Sequence, residues 1–415
     1  MKIRSWIFFL GLFLALLGPS MGWASEEKVE IVWWSWGKPE EVFGGLETAI
    51  EAAYPQIDLV IRGIKATEYN AVLTAALQGG RGPDLFTTRI NPMPTQFAQA
   101  GFVEPLDTLV PILRYYNPPA LEAVSFEGQP YAVPSACTLS AIFYNKQIFE
   151  EYDLSVPRTW AEFIEVCEAL KGHGVTPFSM YSAEWAIASI FYPVIAATTL
   201  PESWRQRLLK NEASFTDPEF VNTLQLGLAL KPYFLDGWEG LTYDDAVSLF
   251  INGEAAMIFD GCWMIPFYRK LNPELEFDAF LFPPVEEGIG PRIPWRVDGG
   301  FAFNAGLTGR KREAALLSLN FLASSVAGEI LARDASIVTW APGVTGTLAD
   351  PVLQKLMAWR NERAVGTVVL RGGPLDWKTP TISSLLGKYA MQLLFGTITP
   401  DEAAQQIQHD ISRQE

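Results

Sequence analysis

Residues 243–263, YDDAVSLFINGEAAMIFDGCW, carry the side chain of this 415-residue chain best suited to holding a ligand. The segment predicts a short helix from Asp244 to Asn252, stopped by Gly253, then an apolar strand from Ala255 to Phe259. A turn at Asp260-Gly261 would then present Trp263 at the carboxyl end of that strand, where open α/β sheets bind their ligands. A rigid aromatic in that place can stack on the C–H face of a pyranose ring, while carboxylates and amides nearby take the hydroxyls in directed hydrogen bonds. Its plainer use is as a core residue. The sequence holds 14 tryptophans, an ample stock for either purpose.

Other reactive groups are scarce. Of the two histidines, His173 sits in a Lys-Gly-His-Gly turn and His409 in a polar C-terminal helix, which argues against a His-dependent triad or a His-rich zinc site. Cys137, Cys167 and Cys262 match no metal or redox spacing, and an odd number cannot complete a disulfide framework, so they read as small buried hydrophobes. No catalytic group, cofactor or metal is expected. Acid pairs such as Glu40-Glu41, Glu150-Glu151, Asp244-Asp245 and Glu286-Glu287 read as solvated or helix-capping charges.

The elements that must position these groups alternate between helix and strand. VEIVWW (29–34) reads as a strand, and Val42, Phe43, Leu46, Ile50 and Ala53 line one face of a helix that Pro55 ends. A second strand over 57–61, a helix over 69–78 and the turn-strand GPDLF follow, a rhythm that predicts an α/β fold with helices covering parallel or mixed sheets. Thr159 with Glu162, and Thr399-Pro400 with Glu402, are ordinary helix starts. The length suits two lobes. With no flexible linker in sight, the chain is expected to cross between them through YAVPSACTLS (131–140) and WRVDGGFAFNAG (295–306).

Lys2 and Arg4, the apolar run from Ile7 to Leu17, and Gly22-Trp23-Ala24 predict a secretory signal peptide over 1–24, cleaved after Ala24. No Cys follows the apolar run, so a lipid anchor is not expected and the exported chain should be soluble in a periplasm. A formal charge of −16 argues against nucleic acid or anionic lipid as a partner.

Taken together, IVWWSWG (31–37), AALQGGRGPDLF (75–86), GFVEPLD (101–107), GQPYAVP (128–134), FYNKQIFEEYDLSVPRTWAEF (143–163), LFINGEAAMIFDGCW (249–263), VDGGFAFNAG (297–306) and ITPDEAAQQIQ (398–408) resemble, in this order, the extracellular solute-binding proteins of carbohydrate ABC importers, the maltose-binding-protein-like family 1. The resemblance spans nearly the whole exported chain. It implies a periplasmic-binding-protein type II fold: two α/β lobes joined by a multi-crossing hinge, with ligand held in the cleft between them. The lobes would comprise 25–135 with 299–345, and 136–298 with 346–415. The protein would be a monomer that captures a sugar or oligosaccharide, closes on it and delivers it to permease subunits in the inner membrane, without performing chemistry. The same fold could instead take a polyol, glycerophosphodiester or polyamine, and a secreted glycosidase is a further alternative.

Within that frame Trp263 is the expected stacking platform, because the family places an aromatic at this position of the DGxW motif. Here x is Cys262, where serine is more usual, so a small polar contact would change. Trp36, with Lys38 in the same loop, comes next. Asp84 begins a segment that faces the cleft in the family, with Thr88 and Arg89 close behind. Thr138 lies in a crossing segment and Tyr144 near a sheet edge; Trp185, Trp340 and Trp377 are further loop aromatics. Asp298-Gly299-Gly300 would bring backbone N–H groups near a ligand. Arg89, Arg296 and Arg371 leave room for an acidic sugar.

Overall fold

A computed structural model describes residues 27–90, 92–285, 290–335, 337–344, 348–366 and 379–413. The expected signal peptide, Glu286-Glu287, Arg371 and Trp377 lie outside the described residues.

Two sheets organise the chain. The first has the spatial order Ile57–Ile64, Val29–Trp36, Leu85–Thr88, Gly300–Phe303, Val133–Pro134. Its first three strands are parallel, as the helices Pro39–Ala53 and Tyr69–Gln78 between them require; the last two run antiparallel to their neighbours. Leu46 and Ile50 of the helix Pro39–Ala53 are fully buried, and Phe43 stacks on the buried Trp33 at 4.8 Å. Trp33 is thereby committed to core, its indole N–H donating to the Thr87 hydroxyl at 3.2 Å.

The second sheet is built around the long strand Ala136–Asn145, with Ile293–Val297 on one side and Ala255–Gly261 then Thr176–Ser179 on the other. Phe277–Phe280 and Val338–Thr339 also pair with the long strand. Its core is strongly aromatic, with Phe163, Phe178 and Phe259 packed together, and burial of each such ring stabilises by about 2–3 kcal/mol. Trp204 is fully buried and donates to Asp217 at 3.1 Å.

The chain changes sheet where the sequence predicts it. Val133–Pro134 belongs to the first sheet and Ala136–Asn145 to the second; Ile293–Val297 belongs to the second and Gly300–Phe303 to the first. Ser135 N–H donates to the Gly299 carbonyl at 3.1 Å and Asp298 N–H to the Ala136 carbonyl at 3.0 Å, so the two crossings are zipped together. Val338–Thr339 reaches the second sheet beside them and makes a third crossing, a few residues before the boundary expected at 345. The molecule is therefore two α/β lobes on a three-strand hinge.

Local signals fare well. The helix Tyr69–Gln78 has the predicted limits, and Thr399 and Glu402 form a full capping box. At Thr159 the box is only half made, because Glu162 turns its carboxylate to the Arg158 N–H at 2.7 Å. The strand after Gly253 is longer than expected: Asp260 and Gly261 are its last residues rather than a turn, and the bend falls at Cys262–Met264. All three cysteines are buried thiols; Cys262 Sγ accepts from the Leu139 N–H at 3.3 Å. Among the described residues no single helix is long and apolar enough to cross a membrane.

Gly299 sits at φ +92° in the crossing, and a Cβ there would drive into the Thr88 carbonyl oxygen and come within 3.0 Å of the Trp36 ring. Gly299→Ala should therefore lower the unfolding free energy by about 1–3 kcal/mol in urea titration. An unchanged midpoint would mean that the crossing yields freely.

Candidate functional site

A cleft of about 790 Å³ opens between the two sheets at the hinge. From the first lobe it is walled by Trp36 and Arg89 at the carboxyl ends of their strands, by Phe43, and by Asn70 and Gln96 on helices. Trp185, Trp263 and Thr381 close it from the second lobe, and Ser135, Arg296 and Asp298 of the crossings form its floor.

The carboxyl end of Ala255–Gly261 carries the aromatic wall through a buried polar relay. Asp260 is fully buried and takes three donors: the Tyr243 hydroxyl at 2.6 Å and the Gly261 N–H at 2.7 Å on one oxygen, and the Tyr268 hydroxyl on the other. Tyr243 in turn accepts from the Trp263 indole N–H at 3.3 Å, and the Trp185 ring meets the Tyr243 ring edge-on at 4.9 Å. One buried carboxylate thus orients one phenol, which positions two cleft tryptophans. The DGxW spacing has a steric reason as well: the Trp263 ring folds back over the Gly261 Cα so closely that a Cβ would overlap it. Burial pushes Asp260 up to about 7 despite its three donors, and drives the Tyr243 and Tyr268 phenols far above their ordinary range.

The guanidinium groups also lie on rings. Arg89 Cζ is 3.7 Å from the Trp36 ring centroid and Arg296 Cζ is 4.9 Å from that of Trp263. Arg296 also donates to the Ser189 carbonyl at 2.9 Å and lies 3.7 Å from Asp298. Burial depresses the Arg89 pKa, an effect that nearby Asp298 opposes.

Of the residues expected from sequence, Trp36, Arg89, Trp185, Trp263 and Asp298 come together in the cleft. Trp185 offers the most open ring, 49 % exposed. Gly299 and Gly300 are buried in the crossing beside Trp36 and Ala132, where they let backbones approach. The rest are placed elsewhere. Lys38 points to solvent and pairs with Glu41 at 3.4 Å. Asp84 is buried away from the cleft, accepting from the Val32 N–H at 2.9 Å and pairing with Lys311 at 2.9 Å; it ties the lobe together. Thr88 turns its hydroxyl to the Arg89 carbonyl, and its neighbour Thr87 lines the cleft instead. Thr138 faces a separate cavity of about 20 Å³ behind Arg296. Tyr144 is core at the far end of the long strand, packed on Phe149 at 4.6 Å, while Asn145 caps the next helix. Trp340 is buried behind the hinge, bonded to the Ala136 carbonyl at 3.0 Å and packed on Trp295.

Sequence reasoning missed Asn70, Gln96, Ser135, Thr381 and the supporting Tyr243. Asn70 was within reach of the rule that found Trp263, since it opens the helix just beyond a parallel strand's carboxyl end. Tyr243 and Asp260 are 17 residues apart, and nothing local links them.

Comparison with known proteins gives the same picture. The family described as bacterial extracellular solute-binding protein matches residues 36–329. The multiple sugar-binding protein of Streptococcus mutans serotype c is 30% identical over 39% of this chain and 40% of that protein. The maltotriose-binding protein of Pyrococcus abyssi is 26% identical over 62% of this chain and 54% of that protein. The chain thus spans about half the length of the curated relatives it matches. Among solved structures, a chitin oligosaccharide binding protein superposes with a TM-score of 0.79 at 21% identity, covering 93% of this chain and 99% of that one, a likeness that establishes the fold.

The relay makes a pH prediction. A raised carboxyl pKa means that the folded state holds a proton the unfolded chain releases, so Asp260 stabilises below about pH 4 and that contribution fades as pH rises toward about 7. Melting temperatures between pH 4 and pH 8 should fall more steeply in the wild type than in Asp260→Asn. Parallel profiles would show that Asp260 titrates normally.

Proposed function

The chain belongs to the bacterial extracellular solute-binding protein family, and from that premise we propose that it is the substrate-binding component of an ABC importer, capturing a saccharide in the interlobe cleft. The observation that carries this reading is the cleft itself: about 790 Å³ walled by Trp36, Trp185 and Trp263, with Asn70, Gln96, Ser135 and Thr381 supplying hydrogen-bonding groups around them. Flat rings for C–H faces and short polar groups for hydroxyls are what a pyranose needs. The volume would hold a mono- to oligosaccharide.

Binding without chemistry is supported by the make-up of the walls. Glycosidic cleavage uses two carboxyl groups across the bond, and Asp298 is the one carboxylate that the described lining contributes, already drawn to Arg296. A polyamine would want several acids there and meets two arginines. Closure would follow ligand binding, because a solute touching both lobes gains its full set of contacts only when they approach. The lobe boundaries we propose, 25–135 with 299–345 against 136–298 with 346–415, follow the changes of sheet at 135–136 and 298–300. The third crossing, at Val338–Thr339, falls somewhat before the boundary at 345. Export to the periplasm, a monomeric state and delivery to membrane permease subunits complete the reading.

A thermal-shift screen over neutral sugars, uronates, polyols and polyamines tests it, since a bound ligand raises the melting temperature by mass action. At least one saccharide should do so; a shift by a polyamine with none by any saccharide would overturn the ligand class. For the saccharide that binds, Trp185→Ala and Trp263→Ala should each weaken affinity about 10-fold or more, as expected for losing a stacked ring. Trp185→Ala should leave the melting temperature of the empty protein almost unchanged. A Trp263→Ala protein that loses stability but keeps affinity would return that ring to the core.

A further inference from the structure

We infer that the cleft selects a saccharide bearing one anionic group, a carboxylate or a sulfate ester, and that Arg89 is the residue that reads it. This deepens, and rests on, the reading of the cleft as a saccharide site. The first argument is charge. The chain carries a formal −16, yet the charged side chains of the described cleft lining are Arg89, Arg296 and Asp298, two cations against one anion. An acidic protein thus concentrates a positive excess at the place where its ligand sits, and a low-dielectric cleft magnifies such an excess.

The second argument is the balance of donors and acceptors. Each hydroxyl of a neutral sugar brings a hydrogen that needs an acceptor, and carboxylates are the strongest acceptors a protein has. In the described lining the single carboxylate, Asp298, lies in the field of both arginines, 3.7 Å from an Arg296 nitrogen. Among the charged groups of the described lining, donors outnumber acceptors two to one. The Arg89 guanidinium hydrogen-bonds to none of the described residues; its carbon lies 3.7 Å from the Trp36 ring centroid, where the ring holds it in place without using its N–H edge. That edge is a fork of donors matched to two oxygens of one group. Arg296 differs, being tied to the Ser189 carbonyl and Asp298, and serves the floor of the site. Arg89 therefore offers its donor edge to one anionic group of the ligand.

Titration calorimetry on the full exported chain, with matched probes, tests this: a galactotriose in which one residue is galacturonate, its methyl ester, the neutral galactotriose, and the same triose carrying one sulfate ester. Either the carboxylate or the sulfate probe should bind at least about 10-fold tighter than the neutral triose, the range of a charge-assisted hydrogen-bonded pair. If the carboxylate is the group read, methyl esterification should abolish its advantage. Arg89→Gln should remove the preference for the anion, weakening the charged ligand by a clearly larger factor than the neutral one. Neutral triose binding as tightly as both anions would overturn the inference and leave the saccharide reading standing. Equal weakening of charged and neutral ligands by Arg89→Gln would also overturn it, reducing Arg89 to a support for Trp36. If no saccharide of either kind binds, in this set or in the wider screen, both readings fall together.

Discussion

Everything at the cleft depends on the pair of backbone hydrogen bonds that join the two principal crossings, Ser135 to Gly299 and Asp298 to Ala136. They fix the level at which the chain leaves one sheet and enters the other. Because each crossing strand continues into a paired strand on both sides, the register of both sheets is set from this point: Gly300 opposite Thr88 and Pro134, Arg296 opposite Thr138. That register sends the Arg296 and Asp298 side chains into the space between the lobes and puts Gly299 against the Trp36 ring. The hinge is therefore also the floor of the site. A lobe motion about it would move the walls while leaving the floor in place.

The walls follow a common plan on unlike scaffolds. In the first lobe a tryptophan at a strand end is covered by an arginine from the next strand; in the second, a tryptophan just past a strand end lies under an arginine from the crossing. What holds them differs. Trp36 leans on Tyr69, whose hydroxyl donates to the Thr87 carbonyl at 2.6 Å, whereas Trp263 hangs from the Asp260–Tyr243 relay. Both supports are tyrosines, Tyr69 buried and Tyr243 half-buried, whose polar ends are satisfied by strand residues, so the rings keep their orientation when nothing is stacked on them. A preset aromatic surface spares a ligand the cost of ordering it.

Much of this was legible in the chain before any contact was known. Capping residues, the helix over 69–78 and the crossing segments are local patterns, decided by side chains within a turn or two of one another, and they emerge as read. Trp36, Trp263 and Asp298 reach the cleft from strand ends or a crossing, as the sequence reading placed them, and Arg89 and Trp185 line it as well. The misplacements follow from facing and partners that neighbouring residues do not give: Thr138 and Tyr144 share one strand, in which alternate residues face opposite ways and ten residues leave a far end. Asp84 went to Lys311, 227 residues away, and Thr138 to the cavity behind Arg296.

The sequence by itself determined the alternation of helix and strand, the two-lobed plan, the family and the stock of aromatic residues from which the cleft is walled, because hydrophobic period, caps and ordered motifs are written in neighbouring residues. Only the tertiary structure decided how residues 243–263 serve the site. Asp260 became the buried anchor of the relay rather than part of a turn, Gly261 became the seat of the Trp263 ring, and Tyr243 became the link between the two. It also decided that, among the described residues, the cleft lining keeps two arginines and a single carboxylate from a chain rich in acids. Those choices rest on which side chains meet across sheets and lobes, and a meeting at long range depends on register and packing that no local pattern encodes.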